Sequence, residues 1–146
     1  MPSGRIGYRT RIAYEDSPGS GTYTEISKQT SLDPPDPVFD EVDTTNQDSP
    51  NFFKEFVLAM RDPGMVAVEG NFLPEDATHQ RMRVIREAAT EINWRINLRD
   101  APTNAIIYTE TFAGLLKSFS VSTISAQNVQ KYKGSIKVTG LVTATP

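Results

Sequence analysis

The chain of 146 residues is long enough for one domain with its own hydrophobic core, and its formal net charge of −3 names no partner by itself. Cysteine is absent, which excludes a disulfide framework, a thiolate nucleophile and a thiolate metal site. The first twenty residues contain no apolar segment typical of a secretory signal, and the longest apolar runs are far short of the roughly 20 residues that span a bilayer. We therefore expect a subunit that is made in soluble form, with no membrane association.

The N-terminal region is rich in glycine and carries few apolar residues. Residues 1–21 are interpreted as an arm that ends in a turn, with one short strand at residues 8–13. The alternating pattern of residues 22–26 predicts a second strand.

A long acidic segment rich in proline follows at residues 29–51. It contains no Lys, Arg or His, and its prolines and mutually repelling charges disfavour a compact fold of its own. We predict a long loop that has room for one short strand at residues 38–44. The loop is either simply solvated or received by a basic partner. Its acidic residues are Asp33, Asp36, Asp40, Glu41, Asp43 and Asp48.

The remaining elements are predicted from periodicity. A strand at residues 52–60 is expected to form a hairpin with a strand at residues 65–72, because Asp62-Pro63-Gly64 is a turn sequence. One helix is expected at about residues 76–89, with Asp76 as its N-cap and a buried stripe of Thr78, Met82, Ile85 and Ala89. Further strands are predicted at residues 92–98, 106–112, 115–124 and 132–142, with Trp94 on the inward side. These elements predict a mainly β protein, a β-sandwich or barrel with one flanking helix.

No enzymatic chemistry is visible in the sequence. His79 is the single histidine, and no nucleophile or orienting partner accompanies it, so it is interpreted as a structural residue at the surface. One histidine without cysteine excludes the usual zinc sites, and the acidic segment lacks the spacing and central glycine of an EF-hand loop. We expect no catalytic residue, no cofactor and no metal.

Three stretches, taken together, resemble the major tail tube proteins of long-tailed bacteriophages, the non-contractile type in particular. Residues 41–64 pass from the acidic loop through Phe52-Phe53-Lys54-Glu55-Phe56 to a turn that carries glycine. Residues 66–89 lead from a strand through Leu73-Pro74 into the helix, and residues 112–119 are followed by a closing strand at residues 133–140. The order of elements matches over roughly residues 22–142.

The resemblance implies one tail tube domain over residues 1–146 that assembles into rings, usually of six subunits, which stack into a hollow tube. It also implies assembly in the host cytoplasm, a place in the virion tail, and tape-measure, tail-terminator and tail-tip proteins as partners. DNA would pass through the lumen only as transient cargo. The alternatives are a tube subunit of a contractile tail or of a type VI-like secretion system, and a non-catalytic β-sandwich module that binds a ligand.

In such proteins the long early loop reaches a neighbouring subunit or ring. We therefore expect the acidic segment to dock on a basic surface of an adjacent subunit, and Arg81, Arg83 and Arg86 on the helix are the candidates. A solvated helix face is the plainer interpretation of these three arginines. The candidates for apolar ring contacts are Phe52, Phe53 and Phe56, with ordinary core positions as the alternative for two of them.

Overall fold

The computed structural model describes residues 10–99, 103, 105–122, 126–127 and 129–145, and the side chain of Phe52 also lies outside this description. The elements within these residues are β1 (Arg11–Glu15), β2 (Tyr23–Glu25), β3 (Gln29–Asp33), β4 (Val38–Asp43), a short 3-10 helix (Pro50–Phe52), β5 (Phe56–Asp62), β6 (Met65–Asn71), α1 (Ala77–Ala88), β7 (Ile92–Arg99), β8 (Ile106–Val121), β9 (Lys131–Val138) and β10 (Thr143–Thr145).

Eight of these strands form one antiparallel sheet in the order β2-β1-β7-β8-β9-β6-β3, with β10 paired to β8. Strand β8 joins the two halves of the sheet, because its first part pairs with β7 and its second part pairs with β9. The edge strand β3 approaches β1 at Gln29, whose side chain accepts from the Ile12 amide at 3.0 Å and donates to the Thr10 carbonyl at 3.2 Å. The predicted fold class, mainly β with one flanking helix, is confirmed.

The core lies between the two halves of the sheet. The alternation of β7 buries Ile92, Trp94 and Ile96, and the Trp94 indole donates to the Gly114 carbonyl at 3.2 Å. Phe119 and Tyr132, from β8 and β9, stack at 5.4 Å between ring centroids. The inward position predicted for Trp94 is thus confirmed, and its indole N–H is paired, as a buried polar group requires.

Helix α1 begins and ends close to the predicted positions. Asp76 is the N-cap and accepts from the Thr78 amide at 2.9 Å, while Ala89 ends the helix in the left-handed region with φ 51°. Met82 and Ile85 are buried as predicted. Ala89 is exposed, so the last member of the predicted stripe is wrong, because the C-cap turns the chain away from the core.

Replacing Asp76 by Ala is expected to destabilise the protein by about 1 kcal/mol at pH 7, once solvent screening is allowed for. Desolvation raises the pKa of Asp76, but hydrogen bonds from Ser27 and Thr78 outweigh it and lower the pKa from 3.8 to about 2. The stabilisation is therefore present above pH 4 and is lost as the pH falls towards 2. Urea denaturation at several pH values measures it.

The control for this substitution is Glu75→Ala, which removes an exposed acid next to the cap. We expect the Asp76→Ala variant and the wild type to differ at pH 7 and to converge near pH 2. A difference that stays constant over this range would contradict a role for the ionised carboxylate.

The prediction that His79 lies at the surface is wrong, because the residue is completely buried. The Leu73 amide donates to its Nδ1 at 3.1 Å, so Nε2 carries the proton and donates to the Ser27 carbonyl at 2.9 Å. Phe72 and Tyr132 cover the ring, with centroids 5.6 and 4.8 Å away. Both ring nitrogens have hydrogen-bond partners, so the imidazole is buried without an unsatisfied polar group. The buried stripe of α1 therefore starts at residue 79 instead of residue 78.

The predicted hairpin between residues 52–60 and 65–72 is also wrong. Strand β5 pairs with β4, whereas β6 pairs with β3 and β9. The Pro63-Gly64 step is a kink between β5 and β6: Gly64 has φ 88°, and a Cβ on it would lie 2.9 Å from the Asp36 carbonyl oxygen. The acidic segment predicted as a loop thus contains β3, which belongs to the main sheet, and β4, which does not.

Some expectations concern residues that the structure does not describe. Residues 1–9 of the predicted arm are among them. The strand predicted at residues 8–13 is β1 from Arg11 onwards, and the strands predicted at 106–112 and 115–124 form the single strand β8, described to Val121. In the described part, no helix is long and apolar enough to cross a membrane, and no group of three or more possible ligands is placed to hold a metal ion.

Candidate subunit interface

Strands β4 and β5 form a separate two-stranded sheet that leaves the main sheet at the Pro63-Gly64 kink. We call residues 38–62, which are these strands and the tip between them, the acidic ribbon. Every residue of β4 and β5 is exposed. A two-stranded hairpin in water is only marginally stable without further packing, so the acidic ribbon is expected to need support from outside its own subunit.

The acidic ribbon is also unusually apolar for an exposed segment. It holds more than half of the large hydrophobic side chains that are exposed in the described residues, and Met60 is 84% and Phe53 72% exposed. Exposed apolar surface that is concentrated in this way marks an interaction site. These side chains are Val38, Phe39, Val42, Phe53, Phe56, Val57, Leu58 and Met60.

Acidic and apolar side chains share one face of the acidic ribbon. Glu41 lies opposite Leu58 and Asp43 opposite Phe56, while Val42 opposite Val57 belongs to the other face. Hydrogen bonds from the side chain and backbone of Thr45 lower the pKa of Asp43. One face therefore offers carboxylates along β4 and hydrophobic groups along β5.

The tip of the acidic ribbon is ordered by hydrogen bonds between side chains and backbone. The Glu55 amide donates to the Thr45 hydroxyl at 2.7 Å, and the Ser49 hydroxyl donates to Glu55 Oε2 at 2.9 Å while accepting from the Asn46 amide at 3.0 Å. This network fixes the backbone of the tip on both sides of the exposed Phe53.

Four of the six predicted acids lie on the acidic ribbon: Asp40, Glu41, Asp43 and Asp48. The other two lie at its base, Asp33 at the end of β3 and Asp36 beside Gly64. Phe53 and Phe56 are exposed, so neither occupies the core position that was the alternative for them. Phe52 falls outside the described side chains.

The three helix arginines are partly engaged within the subunit. Arg81 donates to the Asp16 carbonyl at 3.1 Å, and Arg86 donates to the Phe119 carbonyl at 2.6 Å and pairs with Glu87. Arg83 lies over the Phe72 ring, 5.0 Å from its centroid. In the described part of one subunit, none of them pairs with an acid of the acidic ribbon.

A family model described as phage tail tube, TTP, lambda-like, matches residues 9–146. The chain belongs to this phage tail tube family. A search of curated protein sequences finds no significant match.

Solved tail structures share the fold of this tail tube protein at low sequence identity. The tail of an empty GTA particle, refined with C6 symmetry, has a TM-score of 0.77 at 17% identity and covers 98% of this chain and 100% of its own. The SPP1 tail tube has a TM-score of 0.69 at 10% sequence identity, and the match covers 95% of this chain and 77% of the SPP1 chain. The sheath-tube complex of an extracellular contractile injection system, PVC, has a TM-score of 0.75 at 9% sequence identity, and the match covers 98% of this chain and 92% of the PVC chain.

The tail tube subunit carries a second charged surface, which was not among the acceptors predicted from the sequence. Lys131, Lys133 and Lys137 alternate along β9 with buried residues, so they lie on the outward face. On β8, Ser118 and Ser120 lie opposite Ser135 and Lys133. We call this outward surface of β8, β9 and β6 the Ser–Lys face. The alternation of lysines from residue 131 to 137 was a signal for it, but only the strand pairing places the serines beside them.

Two lysines of the Ser–Lys face already pair with carboxylates of their own subunit. Lys137 Nζ lies 2.8 Å from Asp62 Oδ1 at the base of the acidic ribbon, and this hydrogen bond and that from the Gly64 amide lower the pKa of Asp62. Lys133 lies 3.4 Å from Glu69 on β6. Both pairs are exposed, so each contributes only about 0–1 kcal/mol to folding.

Proposed function

We propose that this tail tube subunit assembles into rings of six that stack into the tube of a non-contractile tail, and that the acidic ribbon makes the main contact between neighbouring subunits. The observation that best supports this contact is that both strands of the acidic ribbon are exposed along their whole length and carry many apolar side chains. Burying apolar surface contributes about 25 cal/mol per Å², so eight such side chains supply a large driving force for association.

The ring number is supported by the fold shared with the GTA tail, whose structure was refined with C6 symmetry. The lambda-like description of the matching family supports the non-contractile type. The fold itself also occurs in contractile systems, so it does not distinguish the two.

The tube so formed would serve as the channel through which DNA leaves the particle, after assembly in the host cytoplasm. Tape-measure, tail-terminator and tail-tip proteins would be its partners. A tube terminating cap of the anti-feeding prophage, which shares the fold with a TM-score of 0.74 at 12% identity, supports a partner of the terminator class.

A basic surface on the neighbouring subunit would receive the carboxylates of the acidic ribbon. Arg81, Arg83 and Arg86 are the candidates proposed from the sequence. Arg83 has the most freedom of the three, because its guanidinium contacts the Phe72 ring and leaves its hydrogen-bonding groups available.

A module that binds a ligand through an exposed aromatic platform is less well supported. Trp94, the single tryptophan, is completely buried, and the highly exposed Phe53 lies on the acidic ribbon. An aromatic side chain in that position fits contact with another protein better than a sugar platform on a rigid sheet.

Electron microscopy of the purified protein at low salt, with light scattering in parallel, tests the assembly. We expect rings or hollow tubes of uniform diameter, and a partial loss of assembly at about 1 M salt, where the Debye length falls to about 3 Å. A particle that stays monomeric at every concentration and salt would overturn the proposal of self-assembly.

A further inference from the structure

We propose that the Ser–Lys face of one subunit is the surface that receives the acidic ribbon of another copy of this chain. The inference rests on the proposed function, because it names the acceptor for a contact between tail tube subunits. It replaces the helix arginines as the main acceptor, since Arg81 and Arg86 already donate to backbone carbonyls of their own subunit.

The chemistry of the Ser–Lys face suits carboxylates. Lys131 and Lys133 are exposed, and Lys133 keeps 71% of its side-chain surface although it lies near Glu69. The hydroxyls of Ser118 and Ser120 lie on the same face and are also exposed. Ammonium groups and hydroxyls both donate hydrogen bonds. A row of carboxylates that docks on this face can therefore find a donor for nearly every carboxylate.

The apolar parts of the two surfaces match as well. Met65 on β6 and Leu115 on β8 both lie opposite Lys137, and they are 42% and 37% exposed. The Ser–Lys face thus has an apolar end and a cationic end. The acidic ribbon offers the same combination, with Phe56 and Leu58 beside its carboxylates. Duplex DNA would satisfy the lysines through its phosphates but offers little to Met65 and Leu115.

The partner has to be a second copy, because one subunit does not make this contact with itself. Asp62 at the base of the acidic ribbon reaches Lys137, whereas Asp40 and Glu41 form no ion pair or hydrogen bond through their side chains within the described residues. The donor and acceptor surfaces differ, so the contact is heterologous and repeats from one copy to the next. Such a contact generates a ring or a filament.

Charge reversal on each surface tests the contact. The acceptor variant carries Lys131→Glu and Lys133→Glu, and the ribbon variant carries Glu41→Lys and Asp43→Lys. All four positions are exposed, so circular dichroism and thermal denaturation should show unchanged folding. Each variant alone is expected to self-associate at least about tenfold more weakly than the wild type in sedimentation velocity, and to form no tubes.

An equimolar mixture of the two variants is expected to recover assembly, because each ribbon then meets a surface of opposite charge on the other variant. The competing acceptor on α1 is tested by Arg81→Glu with Arg83→Glu, which changes the net charge as much as the acceptor variant does. The inference expects the acceptor variant to lose more assembly than this arginine control. Tubes from the acceptor variant alone, or no recovery in the mixture, would overturn the Ser–Lys face as acceptor.

Two further outcomes are distinguishable from these. Loss of assembly in the arginine control, with normal tubes from the acceptor variant, would move the contact to α1. If the wild type bound duplex DNA and the acceptor variant lost that binding but kept its tubes, the Ser–Lys face would be a nucleic-acid surface and the inference would be wrong. A wild type that never assembles would overturn the proposed function itself and this contact with it.

Discussion

Removing the outer part of the acidic ribbon is expected to abolish tube formation and leave a folded monomer. Phe39 and Arg61 are directly opposed, so an Asn-Gly turn can replace residues 40–60 and close the shortened hairpin. None of the buried core residues belongs to the deleted segment. The free energy of unfolding should therefore change by no more than about 1 kcal/mol, whereas the proposed contact surface is gone. Sedimentation velocity, electron microscopy and urea denaturation measure the two effects separately.

A pair of single substitutions controls for the size of the deletion. Phe53→Ser removes one exposed phenylalanine from the tip, and Val84→Ser removes an exposed valine from α1. We expect weaker assembly from the first and normal assembly from the second. Tubes of normal diameter from the deletion variant would show that the acidic ribbon is not the principal contact, and an unfolded deletion variant would show that it supports the core.

Local patterns predicted the elements well where one periodicity dominates. The strict alternation of β7 placed Trp94 in the core, and the acid before the helical stripe located the N-cap at Asp76. Both depend on interactions within a few residues, which the sequence displays directly. His79 was misplaced because a buried imidazole with two hydrogen-bond partners looks like a polar surface residue in the sequence. The buried stripe starts one residue later than predicted, which is a rotation of about 100° around the helix.

Strand pairing was the harder part. The turn sequence Asp62-Pro63-Gly64 correctly marked a change of direction. Whether it closes a hairpin or kinks the chain depends on the strands that β5 and β6 pair with, and these partners, β4, β3 and β9, lie far away in the sequence. The acidic composition of the candidate interface was visible in the sequence. The Ser–Lys face was not, since it arises from the pairing of β8 with β9 across a register shift between Leu116 and Ser118.

Substituting Gly70 by Ala is expected to cost about 3 kcal/mol of unfolding free energy, at the upper end of overpacking effects. A Cβ at this position would lie 2.4 Å from the Lys28 carbonyl oxygen and 2.5 Å from Tyr132 Oη. That carbonyl also accepts from the Asn71 amide at 2.9 Å, and Lys28 is held at φ 60°, so the backbone has little room to retreat. Urea denaturation of the monomer measures the loss.

The matched control is Gly140→Ala, because nothing lies within 4 Å of a Cβ built there. It should change the free energy of unfolding by no more than about 0.5 kcal/mol. Gly70 lies where β6 meets both β3 and β9, so the clash acts on the two strand pairings that connect the acidic ribbon to the rest of the subunit. Equal stability of the two variants would mean that these strands can separate without loss of the core, and the acidic ribbon would then be anchored less firmly than the pairing implies.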